Sequence, residues 1–383
     1  MATTSIEPAH TNTQHRQRRL DSLTALRFPA ALAVMLFHSA LPELNPFHNH
    51  TAADRYYGLL CQAGGLGVTF FFILSGFVLT WSYRPSQPRW EFWARRYAKI
   101  IPLYILAGLI AVVTLVAVAS PPTRQDIIDY FTMTQVWHPE YLRNFALLPP
   151  GWSLSVEALF YLTFPLLWSR IAAFSVRSAW AAAAASMATI VAVCVIGSVL
   201  PTTGGVVSNE PNHHGLELWF TYVFPVGRMP EFVLGCCLAV LVKRDALPRI
   251  SMATAALSMV AGYLIASIIP VTYGWRIPLV IPCLLMIAAT ARLDLEGAPS
   301  PLRRRPLQRL GEWSFAFYLL HYSVLRLLHH AFGARLNNIA ADVLYLTLAA
   351  IASIVVSALL FKYFEEVTMR WARSGIIKLR GTG

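Results

Sequence analysis

Ten apolar runs of about 18 residues or more recur along this chain, at about 22–42, 62–82, 98–119, 151–169, 179–200, 217–242, 252–270, 274–291, 312–333 and 342–362. A helix rises about 1.5 Å per residue, so each run is long enough to cross roughly 30 Å of hydrocarbon. Composition agrees: of 383 residues, 56% are hydrophobic and only 13% charged, where a soluble domain carries about 25% charged residues. The expected fold class is all-α, a polytopic membrane protein of about ten transmembrane helices.

The net charge of +12 suggests nucleic acid until the charges are placed. Of the 31 lysines and arginines, 23 fall at the two termini and around the gaps after the second, fourth, sixth and eighth runs, and 5 (Arg55, Arg124, Arg143, Arg276 and Arg335) are assigned to the other, outer gaps. Arg27, Arg228 and Arg326 lie inside runs. So large a positive-inside asymmetry predicts a multi-pass protein of the bacterial inner membrane with both termini cytoplasmic. The basic residues are topological, their partner is membrane lipid, and no nucleic acid is expected.

The runs define a transmembrane domain over 21–370, after a polar and disordered cytoplasmic segment 1–20 and before a cytoplasmic tail 371–383. The gaps at 120–150 and 201–216 are too short to bury a core of their own. Alanine at 180–193 predicts a close-packing helix, since small residues let helices approach. Five cysteines without CxxC spacing read as buried apolar thiols. His48, His50, His213 and His214 fall in outer gaps without compact ligand spacing, so no metal is expected.

Ionisable residues inside spans cost a few kcal/mol each and tend to mark function. "LRFPAALAVMLFH" carries Arg27 and His38 eleven residues apart, which at about 100° per residue puts both on one helix face, separated by roughly 16 Å along the axis. "PPGWSLSVEALFYLTFPL" carries Trp152, Ser153 and Glu157: Ser153 suits an N-cap, and Glu157 lies one turn further on the same face. The alternating topology places His38 and Glu157 in the same outer half, where a carboxylate can orient an imidazole for general-base work. "GRMPEFVLG" sets Arg228 and Glu231 three apart, the spacing of an internal ion pair. "SFAFYLLH" puts Ser314 and His321 on one face. "FWARRYAKIIPLY" gathers Arg95, Arg96 and Lys99, either a topology anchor or a cradle for a phosphorylated ligand, and "FFFILSGFVL" adds Ser75 and Gly76 at a packing point.

Together these motifs resemble the acyltransferase-3 family of integral-membrane O-acyltransferases, from about 20 to 370. The diagnostic element is an arginine, ten residues and a histidine, here Arg27 and His38, and the other motifs follow in the family's order. A final glutamate two residues before a proline is matched only by Glu365, with Val367 in place of the proline. The resemblance implies acyl transfer from acyl-CoA, a co-substrate rather than a bound cofactor, to an acceptor hydroxyl. It casts His38 as general base aided by Glu157, with Arg27, Arg95 and Arg96 on the donor's phosphates or pantetheine arm. Ser75, Trp152, Ser153, Arg228, Glu231 and His321 would complete the substrate-binding set. The sequence looks most like compact actinobacterial members acting on macrolides or related antibiotics. A cell-envelope glycan or glycolipid acceptor is the alternative, and an exporter without chemistry is the alternative of another class.

Overall fold

The computed structural model describes residues 20–203, 206–207, 210–333 and 338–381. The segment expected to be disordered, 1–20, lies outside these residues except for Leu20. Apolar runs become helices: α1 (Asp21–Ser39), α2 (His50–Ser82), α3 (Arg89–Ala117), α5 (Gly151–Ala172), α6 (Val176–Gly197), α8 (Pro225–Lys243), α9 (Met252–Ile268), α11 (Ile277–Glu296), α12 (Arg305–Phe332) and α13 (Ile339–Leu360). Between them lie the short helices α4 (Arg124–Phe131), α7 (Gly215–Leu218) and α10 (Val271–Gly274). A two-stranded antiparallel ribbon, β1 (Val206–Val207) with β2 (Glu210–His214), occupies the 201–216 gap.

Among the described residues, seven helical stretches are long and apolar enough to cross a membrane by length and composition, while α9 reaches only 17 residues. α5 and α12 are long but carry more polar residues. Side chains facing outward are themselves apolar, as with Leu257, Val260, Leu264 and Ile268 along α9. Exposed apolar surface on that scale suits a lipid surround.

Several helices outrun their apolar cores. α2 starts twelve residues before its run because Asn49 caps it, accepting from the Ala52 amide at 3.0 Å. α12 starts at Arg305 with Pro306 at its first turn, where the missing N–H is no loss. The run 217–242 does not form one α-helix: a π-turn over Trp219–Val223 separates α7 from α8.

α2 is the central element and packs on α1, α8 and α11, while α1 packs on α12. The α2–α8 crossing depends on two glycines. A Cβ at Gly76 would lie 1.9 Å from the Phe232 carbonyl oxygen, and one at Gly235 1.9 Å from that of Ile73. Only glycine permits that approach. The alanine-rich α6 packs along α8. Its buried residues Ala179, Ser186, Ile190, Cys194 and Gly197 form one stripe, with Ala183 and Met187 half-buried beside it.

One end of the bundle is tied together by polar bonds and will be called the basic end. Asp294 at the end of α11 accepts from the Ser22 amide at 2.8 Å, the Ser22 hydroxyl at 2.7 Å and Arg303 Nε at 3.0 Å. Lys243 Nζ, closing α8, donates to the Thr80 carbonyl near the end of α2 at 2.7 Å. The far end is capped by the 120–150 segment, where Arg143 Nε donates to Asp129 at 2.6 Å and Tyr104 and Tyr130 stack and bond to each other's carbonyls.

After α13 the chain does not turn off into a loose tail. A π-turn over Phe361–Glu365 leads into α14 (Glu366–Gly381), which packs back on α3. Val367 keeps the backbone N–H that a proline would lack, so the helix continues.

Candidate active site

α1 carries Arg27 towards the basic end and His38 towards the far end, as its periodicity predicts. The two meet different surroundings. Arg27 lines a cavity of about 870 Å³ at the basic end, together with Arg95, Arg96 and Lys99 of α3, Ser75 of α2 and Glu157 of α5. Deeper in the bundle, a small cavity of about 60 Å³ shares Arg27, Phe71 and Glu157 with the large one. Its further walls include Phe72, Ser153, Ser314 and Tyr318. Arg95 is paired with the buried carboxylate of Glu91 one turn before it. Arg96 Nη2 donates to Ser82 at 3.4 Å.

His38 is buried, and its partner is His321. His38 Nδ1 lies 2.8 Å from His321 Nε2. His321 Nδ1 lies 3.0 Å from the Phe317 carbonyl, which can only accept. The protons follow from that geometry. His321 carries hydrogen on Nδ1 and offers a lone pair at Nε2, so His38 donates from Nδ1. The free lone pair of the neutral His38 is therefore at Nε2, where a base is needed. The rings stack with centroids 5.1 Å apart, and Tyr322 packs edge-on against His38 at 5.3 Å.

Glu157 is not hydrogen-bonded to His38. It accepts from Ser75 Oγ at 2.9 Å and from the Tyr161 hydroxyl at 2.7 Å, and it faces both cavities rather than His38. Its partners lie on α2 and on α5 itself, whereas His38 pairs across to α12. Ser153 is not an N-cap: α5 begins at Gly151 after Pro150 without a side-chain cap. Ser153 bonds back to the Pro150 carbonyl at 3.1 Å and pairs with the Tyr318 hydroxyl at 2.7 Å. Trp152 is buried in an aromatic wall, tilted against Tyr222 at 5.1 Å and edge-on to Phe72 at 6.2 Å.

Arg228 and Glu231 line neither of these cavities. They are fully buried with Arg276, which the sequence analysis assigned to an outer gap although it falls inside the run 274–291. Arg276 grips Glu231 with Nε at 2.9 Å and Nη2 at 3.0 Å, and donates to the carbonyls of Thr221 and Gly227 at 2.6 and 2.7 Å. Arg228 Nη1 lies 3.2 Å from Glu231, with its guanidinium between the rings of Phe72 and Tyr222 at 5.0 and 5.1 Å. The expected ion pair exists, inside a larger cluster. Tyr318 was missed as well. It lies four residues after Ser314 on α12, a spacing the motif "SFAFYLLH" already contained.

Among the described residues, no group of three or more His, Cys, Asp or Glu is placed to hold a metal ion. Arg27 of α1 thus borders both cavities, and the same helix carries the paired His38. The profile described as an acyltransferase domain matches residues 20–362, and the chain belongs to that family. It is 35% identical over 367 residues to the acyltransferase MdmB of Streptomyces mycarofaciens, covering 92% of each chain. It is also 29% identical over 173 residues to the peptidoglycan O-acetyltransferase OatA of Listeria monocytogenes, over 40% of this chain and 25% of that one. The O-acetyltransferase OatA of Staphylococcus aureus is 29% identical over 167 residues, or 39% of this chain and 25% of its own. No solved structure matches the chain.

Proposed function

We propose that this membrane O-acyltransferase takes its acyl group from acyl-CoA at the basic end and passes it to a hydroxyl held at His38. The observation that carries the reading is the alignment along α1. Arg27 faces a cavity rich in guanidinium groups, which suit phosphate contacts, and the same helix presents His38 roughly 16 Å further on. That separation is spanned by an extended arm on the donor, with the nucleotide end staying at the basic side. Arg27, Arg95 and Arg96 bind the donor, with Ser75 and Glu157 at the inner end of its cavity. Trp152, Ser153 and His321 shape the reacting end.

In the transfer step, His38 Nε2 takes the acceptor's hydroxyl proton as the oxygen attacks the thioester carbonyl. The carbon–sulfur bond then breaks. The proton passes from His38 to the departing sulfur, leaving an ester and free CoA. His321 holds the His38 ring in the tautomer this requires. Glu157, remote from His38, acts on the donor rather than on the base. Arg228 and Glu231, given a substrate role by the sequence, hold the aromatic wall instead.

The preferred acceptor is a macrolide or a related secondary metabolite. The chain and MdmB match over 92% of each, whereas the matched segment is only 25% of the Listeria wall O-acetyltransferase. A cell-envelope glycan or glycolipid is the second reading, supported by the likeness to the Listeria peptidoglycan O-acetyltransferase. Both termini are proposed to be cytoplasmic, on the 23-to-5 charge split. Incubating purified protein with acetyl-CoA and titrating released thiol, with and without macrolide or glycan acceptors, tests the whole reading. Acceptor-dependent release is expected. Its absence with every donor and acceptor would favour an exporter without chemistry.

A further inference from the structure

α14 begins at Glu366, beyond the last residue of the family match, 362. Yet Met369, Ala372, Arg373, Ile376 and Ile377 of this helix all line the 870 Å³ cavity. Their spacing of i, i+3, i+4, i+7 and i+8 gives a single helix face. Ile376 is buried against the bundle, and α14 rests on α3, the helix that supplies Arg95, Arg96 and Lys99. The opposite face carries Trp371, which is 74% exposed. One helix therefore has a cavity face that is apolar except for one guanidinium, and a separate outward face bearing an aromatic anchor.

We infer that α14 is a wall of the donor site and that Arg373 binds a phosphate of the nucleotide end of the donor. The apolar neighbours Met369 and Ile376 offer a surface to a flat base or to the pantetheine chain, and Arg373 projects a charge-assisted donor from among them. Arg84, Arg95 and Arg96 line the same cavity, so the helix adds a further cation to a site already suited to a polyanion. This inference rests on the acyl-CoA reading above and adds a residue outside the family match to it.

The test is equilibrium binding of CoA itself to the full-length purified protein, with three variants. Arg373→Glu is expected to weaken CoA binding about tenfold or more, the size of losing a hydrogen bond between charged groups. Arg373→Lys should recover much of that loss, because it restores the charge. Trp371→Ala, on the outward face, should bind CoA as the wild type does. Arg373 is exposed, so an unchanged melting temperature will show that the fold is kept. If the wild-type protein binds CoA and Arg373→Glu binds it within twofold, the role of α14 is overturned while the donor reading stands. A loss at Trp371→Ala as large as at Arg373→Glu also overturns it, since the helix then acts through its outward face. A wild-type protein that binds no CoA defeats the donor reading and this inference together.

Discussion

The cavity at the basic end and the Arg228–Glu231–Arg276 cluster both place arginine and glutamate inside a bundle whose outside is apolar, yet one surrounds space and the other fills it. Around the cavity, Arg27, Arg95 and Arg96 face about 870 Å³ of room. In the cluster, Arg276 and Arg228 are 1% and 0% exposed, and Glu231 sits between them. An arginine can meet a ligand only where a volume is left for one. Where the volume is closed, the same residue types become a tie between α8 and the start of α11. Arg27 and Glu157 in one and Arg228 and Glu231 in the other looked alike as costly residues in apolar runs, and the difference between them is one of packing.

The comparison can be broken most sharply at Glu231. Glu231→Ala leaves two guanidinium groups buried with no carboxylate, and should cost about 3–5 kcal/mol of stability. Arg276→Met should cost nearly as much, because it leaves Glu231 only its contact with Arg228 and takes the donors from the Thr221 and Gly227 carbonyls. Arg228→Met leaves Arg276 and Glu231 as a bidentate pair and should be far milder. Thermal unfolding in detergent measures all three, and an Arg228→Met protein as unstable as Glu231→Ala would contradict the cluster's assigned geometry.

At the reacting end the expected effect is on rate instead. His38→Ala should lower acyl transfer about 10²-fold or more, the usual range of a general base, with little change in melting temperature. Wild-type activity should fall as the pH is lowered, since a protonated imidazole cannot accept the acceptor's proton. Glu157→Gln should raise the donor KM and leave the shape of that pH profile unaltered. A shifted profile in Glu157→Gln would restore the direct partnership with His38 that the structure does not contain.

The smallest effect is expected at the far end, outside the spans. Burial raises the Asp129 carboxyl pKa, but hydrogen bonds from Arg143 and Gln125 and the Arg143 charge hold it below the usual carboxylate range. A depressed folded-state value stabilises the protein above that range, and this contribution is lost as pH falls through the folded value. Arg143→Met should therefore cost about 1–2 kcal/mol near neutral pH and progressively less in acid. An equal loss at every pH would show that Arg143 acts by packing rather than by charge.

Much of this could be read along the chain because it depends on local periodicity. The apolar runs became helices since hydrocarbon leaves the backbone few other ways to pair its amides. Arg27 and His38 share a face because eleven residues come close to three full turns. The ion pair of Arg228 and Glu231 follows from a three-residue spacing. What lay between helices was not legible. His321 is 283 residues from His38, and nothing in either motif specifies that their rings meet. Glu157 was paired with His38 from spacing and topology, whereas its hydrogen bonds come from Ser75 on α2 and Tyr161 on its own helix. Arg276 passed as a loop charge because its burial comes from the carbonyls of Thr221 and Gly227 and from Glu231. α14 joins the cavity only because the bundle folds it back onto α3. The sequence by itself determined which residues share a helix face, since bond geometry repeats every 3.6 residues. The tertiary structure alone decided which faces enclose a cavity and which close on each other, because that depends on contacts between residues far apart in the chain.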